Sequence, residues 1–372
     1  MGTAIEASEL IINSDGSIFH LHLKPEQLAG KVILVGDPGR VATVAAHFDA
    51  TECEVSSREF HSITGQYAGK RITVVSTGIG CDNIDIVMNE LDALANIDFT
   101  TRTVKPTLTQ LELVRIGTCG GLQPYTPEGT YIASVESIGF DGLLNFYAGR
   151  DAICDTALEK AFVNHMGWQG NTCIAHPYVA PADKELLHRI AADDMVRGLT
   201  AACGGFFGPQ GRVLRIPLAD PHQNEKIMAF EYNGLRITNF EMESSALAGL
   251  AKLMGHRAMT CCMVIANRVA GKADPNYKNS IDGLIRLVLD RICPFHHLHR
   301  QEPRALAAND CTGLFPCPSH PSNAQARRKP ALMHTKAWSS TTNAPACRAQ
   351  VPQRPTDDTE PPHSGRDCLV VR

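Results

Sequence analysis

The sequence lacks the features that mark a membrane-spanning, nucleic-acid-binding or secreted protein. None of the apolar runs in its 372 residues is long enough to cross a bilayer. Its 35 lysines and arginines nearly balance its 39 aspartates and glutamates, so we expect neither a nucleic acid nor a membrane as its partner. The first twenty residues contain three acidic side chains and no apolar segment typical of a signal peptide, which predicts a cytoplasmic protein.

The spacing that gives cysteine a metal-binding or redox role is also missing. The chain has 13 cysteines, of which only Cys261 and Cys262 are adjacent, and no two are separated by two residues. Zinc ribbons and thioredoxin-like motifs both need that two-residue spacing. Scattered thiols in a reducing compartment act as small apolar side chains, and we predict no metal site.

The composition of the chain changes near Cys293. Residues 294–372 contain 11 of the 22 prolines and show no hydrophobic periodicity, so this segment cannot bury enough apolar surface to offset the entropy of ordering it. We therefore predict one domain over 1–293 and a disordered Pro/Ser/Thr-rich tail over 294–372. The tail contains histidines and cysteines that lack the spacing of metal ligands, namely His296, His297, His299, Cys311 and Cys317.

Before Cys293, short apolar runs alternate with amphipathic patterns. The runs predict strands over 31–36, 71–77, 113–117, 130–135 and 259–266. The amphipathic patterns predict helices over 41–47, 83–95, 242–254 and 279–292. Such alternation predicts the α/β class, with a single-domain mixed β-sheet core flanked by helices on both sides.

Two glycine-rich segments follow predicted strands, and each contains an arginine. The segment Gly36-Asp-Pro-Gly-Arg40 brings backbone amides and the positive end of a helix beside an arginine, which suits an anion. The segment Arg115-Ile-Gly-Thr-Cys-Gly-Gly121 is predicted to lead from a strand into a second glycine-rich turn. Either segment alone is also typical of an ordinary tight connection. Together they favour two arginines that converge on one phosphate.

A pair of carboxylates, Glu241 and Glu243, lies in the segment Asn239-Phe-Glu-Met-Glu-Ser-Ser245. In an extended stretch, side chains two residues apart project to one side. Such a pair can bind the two hydroxyls of a ribose or stabilise a cationic sugar. The alternative is an acidic helix N-terminus, where glutamate is common because it complements the helix dipole.

Five blocks of this sequence resemble, in the same order, the nucleoside phosphorylase-I family, and most closely its uridine phosphorylases. The resemblance spans about residues 10–293 and omits the tail. Any one block is a weak signal, whereas five in register are specific. The blocks are Phe19-His-Leu-His-Leu23, Gly36 to Arg40, Ser57-Arg-Glu-Phe60 with Ser76-Thr-Gly-Ile-Gly80, Arg115 to Gly121, and Phe240-Glu-Met-Glu243.

The resemblance implies a function for each matching position. The implied phosphate ligands are Gly36, Arg40, Arg115 and Thr118, with Arg58 reaching the phosphate from a neighbouring subunit. The implied ribose contacts are Glu241, Met242 and Glu243, with His20 reaching the 5′-hydroxyl across the dimer interface. Without the resemblance, a histidine such as His20 is more often a satisfied core or surface residue. Cys119 and Gly120 correspond to a turn beside the base.

The segment Phe206-Phe-Gly-Pro-Gln-Gly-Arg212 resembles the loop that recognises uracil in this family. There an aromatic ring flanks the base, a glutamine faces its amide edge and an arginine reaches a carbonyl. Gln210 offers both a donor and an acceptor, which suits the N3–H and O2 edge of uracil. The alternative is a Gly/Pro-rich loop with two buried phenylalanines.

The resemblance further implies no cofactor, with inorganic phosphate as a co-substrate. It also implies a homodimer or a larger homo-oligomer that shares its active sites. Some members bind a monovalent cation between subunits through a glutamate and a serine. Glu59 matches the glutamate, but Asn83 occupies the serine position, so the interface cation is an open question.

The implied activity is reversible phosphorolysis of a pyrimidine nucleoside, in which Arg115, Glu243 and Arg212 are the expected catalytic residues. A purine nucleoside phosphorylase of the same family is one alternative, although Asn267 and Arg268 occupy the place where its relatives usually have an aspartate. A nucleosidase that uses water is another, but it does not need three arginines. A non-catalytic nucleoside-binding protein on the same scaffold is a third.

Overall fold

The computed structural model describes residues 3–294, with only the backbone described at position 279. The last helix ends at Ile292, and Cys293 after it is buried. The predicted tail over 294–372 lies, from residue 295 onward, outside the described residues. Within the described range, no helix is long and apolar enough to span a membrane.

Strands and helices alternate along the described chain, as the hydrophobic pattern predicts. The strands are β1 (Lys31–Val35), β2 (Ala50–Ser57), β3 (Phe60–Tyr67), β4 (Lys70–Ser76), β5 (Ile97–Asp98), β6 (Thr103–Val104), β7 (Glu112–Gly121), β8 (Tyr131–Gly139), β9 (Tyr178–Pro181), β10 (Val196–Ala202), β11 (Glu231–Tyr232), β12 (Leu235–Glu241), β13 (Arg257–Asn267) and β14 (Lys272–Ala273). The α-helices are α1 (Pro38–Ala45), α2 (Cys81–Asn96), α3 (Arg150–Ile153), α4 (Thr156–Met166), α5 (Lys184–Ile190), α6 (Gln223–Ala229), α7 (Ser244–Leu253) and α8 (Asp282–Ile292).

The main sheet is mixed and partly closed on itself. Its strand order is β11-β12-β10-β8-β13-β7-β1-β4-β3-β2. The strands β4, β1, β7 and β13 are parallel neighbours, and β10 is parallel to both β8 and β12. The two blocks meet where β13 pairs antiparallel with β8 and where the end of β12 pairs antiparallel with the end of β7. The second pairing closes β7, β13, β8, β10 and β12 into a ring.

Helices cover both faces of this sheet, which confirms the predicted fold class. Strand β1 illustrates why, because Val32 and Leu34 pack into the core under α2 and α7, whereas Ile33 and Val35 pack into the core under α1, α5 and α8. Residues that alternate along a strand face opposite sides of the sheet, so a strand covered on both faces is apolar throughout.

One local prediction is wrong, because the segment from Thr118 to Gly121 is the end of β7 rather than a glycine-rich turn. It pairs with β13 as far as Asn267. The glycines serve close packing: a Cβ at Gly117 would lie 2.3 Å from Arg115 Nη1, and one at Gly121 would lie 2.4 Å from the Thr126 carbonyl oxygen. Glycine removes both clashes, so this strand can pass closely beside its neighbours.

Candidate active site

A cavity of about 1150 Å³ opens where several strands end and three helices begin. Its walls include the starts of α1, α2 and α7, and the positive ends of helices attract anions. Twelve of the predicted site residues line it: Gly36, Arg40, Arg115, Thr118, Cys119, Gly120, Phe206, Gln210, Arg212, Glu241, Met242 and Glu243. The fold therefore gathers segments that are more than 200 residues apart in sequence.

Arg115 lies at the centre of the inner end of the cavity, which we define by Gly36, Arg40, Arg115, Thr118 and Glu243. Its guanidinium donates to Glu243 through Nη2 and to Glu241 through Nη1, the latter at 3.2 Å. Burial alone lowers the pKa of Arg115, but the two carboxylates outweigh burial and raise the pKa above its usual value. Arg115 Nε is a buried donor that has no hydrogen-bond partner among the described residues.

Glu241 accepts from an amide at the start of α7, and Glu243 accepts from the amide just before α2, so the alternative of an acidic helix N-terminus applies to them in part. Glu243 is the N-cap residue of α7, and its Oε1 accepts a hydrogen bond of 2.8 Å from the Gly80 amide. Glu241 accepts from the amides of Glu243 and Ser244 and from the Ser244 hydroxyl. Burial raises the pKa of Glu241, while Arg115 opposes the shift. These contacts favour a positioning role for Glu241.

Arg40 brings a second buried guanidinium to the inner end. It lies in the first turn of α1, where Asp37 caps the helix by accepting from the Gly39 amide at 2.9 Å. Its Nη1 donates to the Ile116 carbonyl oxygen at 3.2 Å. Burial lowers the pKa of Arg40, and the neighbouring charge of Arg115 lowers it further. Arg115 is paired with two carboxylates, whereas Arg40 forms no salt bridge among residues 3–294, so an anion beside Arg40 would be favourable.

The loop end of the cavity, which we define by Phe206, Gln210 and Arg212, is built differently. Arg212 lies over the Phe206 ring at 3.5 Å and donates to Gln210 Oε1 at 2.5 Å. Gln210 is buried, whereas the Phe206 side chain is half exposed. Burial and the nearby charge of Arg268 lower the pKa of Arg212 to about 10. The polar pair that we predicted to face a base is therefore present, although Arg212 covers a face of the aromatic ring.

His20 and Arg58 do not line this cavity, but they lie together in another part of the chain. The Arg58 guanidinium is 5.4 Å from the centroid of the Phe19 ring, and the Phe19 and His20 rings are 4.7 Å apart. Arg58 is exposed and has a left-handed backbone with φ of +55°. The expectation that both residues act across a subunit interface stays a prediction.

Glu59 and Asn83, the two residues at issue for an interface cation, both lie close to Gly78. A Cβ placed on Gly78 would be 2.4 Å from Asn83 Nδ2 and 3.3 Å from Glu59 Cγ. Both residues line the cavity. Within residues 3–294, no group of three or more histidines, cysteines, aspartates or glutamates is arranged to hold a metal ion.

Sequence reasoning missed part of the wall, chiefly residues at the end of β13 and in the segment after β14. Ile265, Ala266, Asp274 and Tyr277 all line the cavity. Lys278 Nζ lies 3.4 Å from Asp37 Oδ2 and so joins this segment to the turn after β1. The sequence does not indicate that these residues line the cavity, because only the pairing of β13 with β7 and β14 brings them there.

Known proteins resemble this chain in both sequence and fold. Residues 31–291 match the model of the phosphorylase superfamily. A uridine phosphorylase of Thermococcus kodakarensis is 30% identical over 268 residues, which cover 69% of this chain and 80% of that protein. A uridine phosphorylase of Haemophilus influenzae is 28% identical over 255 residues, which cover 68% of this chain and 86% of that protein.

The fold agrees with that of a solved relative. The crystal structure of a Trypanosoma brucei nucleoside phosphorylase, described as showing uridine phosphorylase activity, gives a TM-score of 0.68 at 29% identity. The match covers 76% of this chain and 98% of that one. Since the family model alone spans most of the chain and the fold agrees with it, this protein belongs to the phosphorylase superfamily and is most similar to its uridine phosphorylases.

Proposed function

We propose that this protein catalyses the reversible phosphorolysis of uridine, giving uracil and α-ribose-1-phosphate. The observation that carries the proposal is that the two ends of one cavity hold different polar groups. Its inner end holds Arg40 and Arg115 with Glu243, and its loop end holds Gln210 and Arg212. These groups suit, in order, a phosphate, a ribose and a uracil ring. Uridine phosphorylases from two organisms are among its relatives.

In the proposed reaction, the bond from C1′ of the ribose to N1 of uracil lengthens first, and the sugar becomes cationic. Phosphate, bound by Arg40, Arg115 and Thr118 and by Arg58 of a second subunit, lies beneath C1′. One of its oxygens forms the new bond to C1′. The electron pair of the broken bond leaves with uracil, whose developing charge is stabilised by Gln210 and Arg212. The proton that the hydrogen phosphate loses on forming the ester passes through solvent to uracil. Positioning and preorganised charge accelerate the reaction without a covalent enzyme intermediate.

The contacts of Asn267 argue against a purine substrate. A purine nucleoside phosphorylase of this family would place a proton donor at this position, at the end of β13. The Asn267 side chain is buried and donates to the carbonyl oxygens of Gln123 and Thr126 at 3.1 and 2.7 Å. Its carbonyl oxygen accepts from the Ala270 amide. An amide with these bonds neither ionises nor faces a bound base.

The charges of the two buried arginines argue against hydrolysis by water. Arg115 is paired with Glu241 and Glu243, but the buried Arg40 forms no salt bridge among residues 3–294, and a buried guanidinium without an anion is unfavourable. A nucleosidase has no anion to bind there. The same groups argue against a binding protein without activity, because one nucleoside does not need a phosphate site beside its ribose. We therefore assign phosphate as the co-substrate, with no cofactor.

The separation of His20 and Arg58 from the cavity supports an assembly with composite sites. We propose that the protein is a cytoplasmic homodimer, or a larger oligomer of such dimers. A two-fold interface is self-complementary, so each dimer would contain two equivalent sites. In each, His20 of the partner would contact the 5′-hydroxyl and Arg58 of the partner would contact the phosphate.

A product assay tests the proposal directly. The full-length protein is incubated with uridine, deoxyuridine, thymidine, inosine and adenosine, each with and without phosphate, and the free bases are separated by chromatography. We expect uracil to be released from uridine only when phosphate is present, together with ribose-1-phosphate. Equal release in phosphate-free buffer would replace this function by hydrolysis, and preferential release of hypoxanthine would replace it by purine phosphorolysis.

A further inference from the structure

Glu90 makes an unusually complete set of contacts with the segment that contains His20. Its Oε1 lies 2.6 Å from His20 Nδ1 and accepts from the His20 amide at 3.0 Å. Its Oε2 accepts from the Leu21 amide at 2.8 Å and lies 3.1 Å from the His20 amide nitrogen. Only 12% of the Glu90 side chain is exposed, against 26% of His20. One carboxylate thus holds both the backbone and the ring of the histidine.

These contacts determine which ring nitrogen of His20 carries hydrogen. An ionised carboxylate can only accept hydrogen bonds, and three donors from one segment converge on its two oxygens. Nδ1 of His20 must therefore donate to Glu90. In a neutral imidazole the other nitrogen then has a free lone pair, so Nε2 is an acceptor. The edge contacts of the ring with Phe19 and Phe60, at 4.7 and 6.4 Å between centroids, leave its plane little freedom to turn.

We propose that Glu90 is a positioning residue, which presents Nε2 of His20 as a hydrogen-bond acceptor for the 5′-hydroxyl of a nucleoside in the partner's cavity. This inference rests on the proposed function and deepens it. It assigns the substrate class as nucleosides with a free 5′-hydroxyl that can donate. A nucleoside without that hydroxyl gains nothing from the arrangement.

The position of Glu90 on α2 supports this role. The amide before the first residue of α2, that of Gly80, donates to Glu243 in the cavity of its own subunit. Glu90 lies ten residues further along the same helix, about 15 Å at the rise of an α-helix. The helix α2 therefore lines the active site of its own subunit and also positions His20, which we propose to act in the active site of the partner subunit.

The test compares uridine with 5′-deoxyuridine in the full-length wild type, Glu90→Gln and His20→Ala. In Glu90→Gln one carboxylate oxygen becomes an NH₂ donor. At the Oε2 position that donor would face the Leu21 amide, which cannot accept a hydrogen bond. At the Oε1 position it faces Nδ1, which can accept once the tautomer of His20 is inverted. The second arrangement is therefore favoured, and in it the acceptor at Nε2 is lost. Asp85→Asn is the matched control, because Asp85 is also a carboxylate of α2, accepts from the Tyr147 hydroxyl and has no contact with His20.

We expect Glu90→Gln to lower kcat/KM for uridine about tenfold, mainly by raising KM. A tenfold loss corresponds to the free energy that one hydrogen bond contributes. The value for 5′-deoxyuridine should stay within about twofold of wild type by the same reasoning, since it makes no such bond. His20→Ala should abolish the preference for uridine equally, and the double variant should lose no more. An equal loss for both substrates, or none for either, would overturn the proposal.

A measurement without turnover separates this inference from the proposed function. In ¹⁵N-labelled protein, long-range ¹H–¹⁵N correlation spectra report the tautomer of each histidine, and His20→Ala identifies the His20 signals. We expect hydrogen on Nδ1 in the wild type and in Asp85→Asn, but not in Glu90→Gln. Hydrogen on Nε2 in the wild type would refute the positioning role of Glu90 even if uracil release requires phosphate. Hydrogen on Nδ1 in a protein without phosphorolysis would refute only the function.

Discussion

The inner end and the loop end of the cavity each use an arginine, but the two arginines are held in opposite ways. Arg115 is 4% exposed, lies within a central strand and is paired with two carboxylates that also accept hydrogen bonds from backbone amides. Arg212 lies on an irregular segment, rests on a half-exposed phenylalanine and is paired with a neutral glutamine. The environment raises the pKa of Arg115 and lowers that of Arg212.

This difference indicates a division of work between the two ends. Groups that stabilise charge in a transition state act best when they are fixed before the substrate arrives, which is the condition of the inner end. Gln210 and Arg212 are hydrogen-bonded to each other, so they must break that contact before they can bind a base. We therefore expect the inner end to determine the rate and the loop end to determine which base is accepted.

Arg115→Ala should have the largest effect of any single substitution at either end. Loss of one preorganised donor costs about 2–4 kcal/mol of transition-state stabilisation, so we expect kcat/KM for phosphate to fall about a hundredfold to a thousandfold. Arg150→Ala is the control, because Arg150 is also paired with carboxylates but lies outside the cavity. A variant within a factor of about three of wild type would make Arg115 structural and remove the contrast between the two ends.

The inner end should also depend on a second subunit, whereas the loop end should not. Arg58→Ala and Arg115→Ala are each expected to be nearly inactive. After unfolding and refolding together, each heterodimer contains one site with both lesions and one with neither. Random mixing should therefore restore about a quarter of wild-type activity, measured as uracil release. A mixture as inactive as its parents, despite verified exchange, would place Arg58 outside the partner's site.

Arg212→Ala tests the loop end and should have a smaller effect that is confined to the base. A hydrogen bond from a charged donor contributes about 1.5–3 kcal/mol, so kcat/KM for uridine should fall about tenfold to a hundredfold. KM for phosphate should stay within about twofold, since the inner end is unchanged. Arg215→Ala, at an exposed position on the same segment, is the control. A large rise in KM for phosphate would show that the two ends are coupled.

The sequence was sufficient to predict the parts of this site that are local. Gly36 to Arg40 follows a buried strand and begins a helix, and α1 starts there because Asp37 can cap it and Pro38 fits its first turn. The start of α7 at Ser244 after an acidic pair is local in the same sense. Each prediction needed only a strand, a turn and a helix in succession.

What could not be predicted depends on pairings between distant segments. The extension of β7 through Gly121 follows from its pairing with β13 and β12, which lie more than 100 residues later in the chain. Two further features also depend on residues far apart in sequence. These are the salt bridges of Arg115 with Glu241 and Glu243, and the hydrogen bond from Asn267 to the Thr126 carbonyl oxygen. A glycine-rich segment reads as a turn unless the strand beside it is known.

Removing residues 294–372 should have the smallest effect, and it tests whether either end of the cavity depends on that segment. All the cavity residues precede Cys293, which is buried after the last turn of α8. We propose that the catalytic domain is 1–293 and that the tail adds no core. Truncation after Cys293 should then leave kcat/KM for phosphate and for uridine within about twofold, and Tm within a few degrees, because the sequence of the removed segment has no hydrophobic periodicity. Truncation after Val288 is the control. It removes the last turn of α8, including the buried core residues Leu289 and Ile292, and should therefore lower Tm sharply. If truncation after Cys293 changed kcat/KM for uridine but not kcat/KM for phosphate, the removed segment would act on the loop end. The division of work would then have to include a third region.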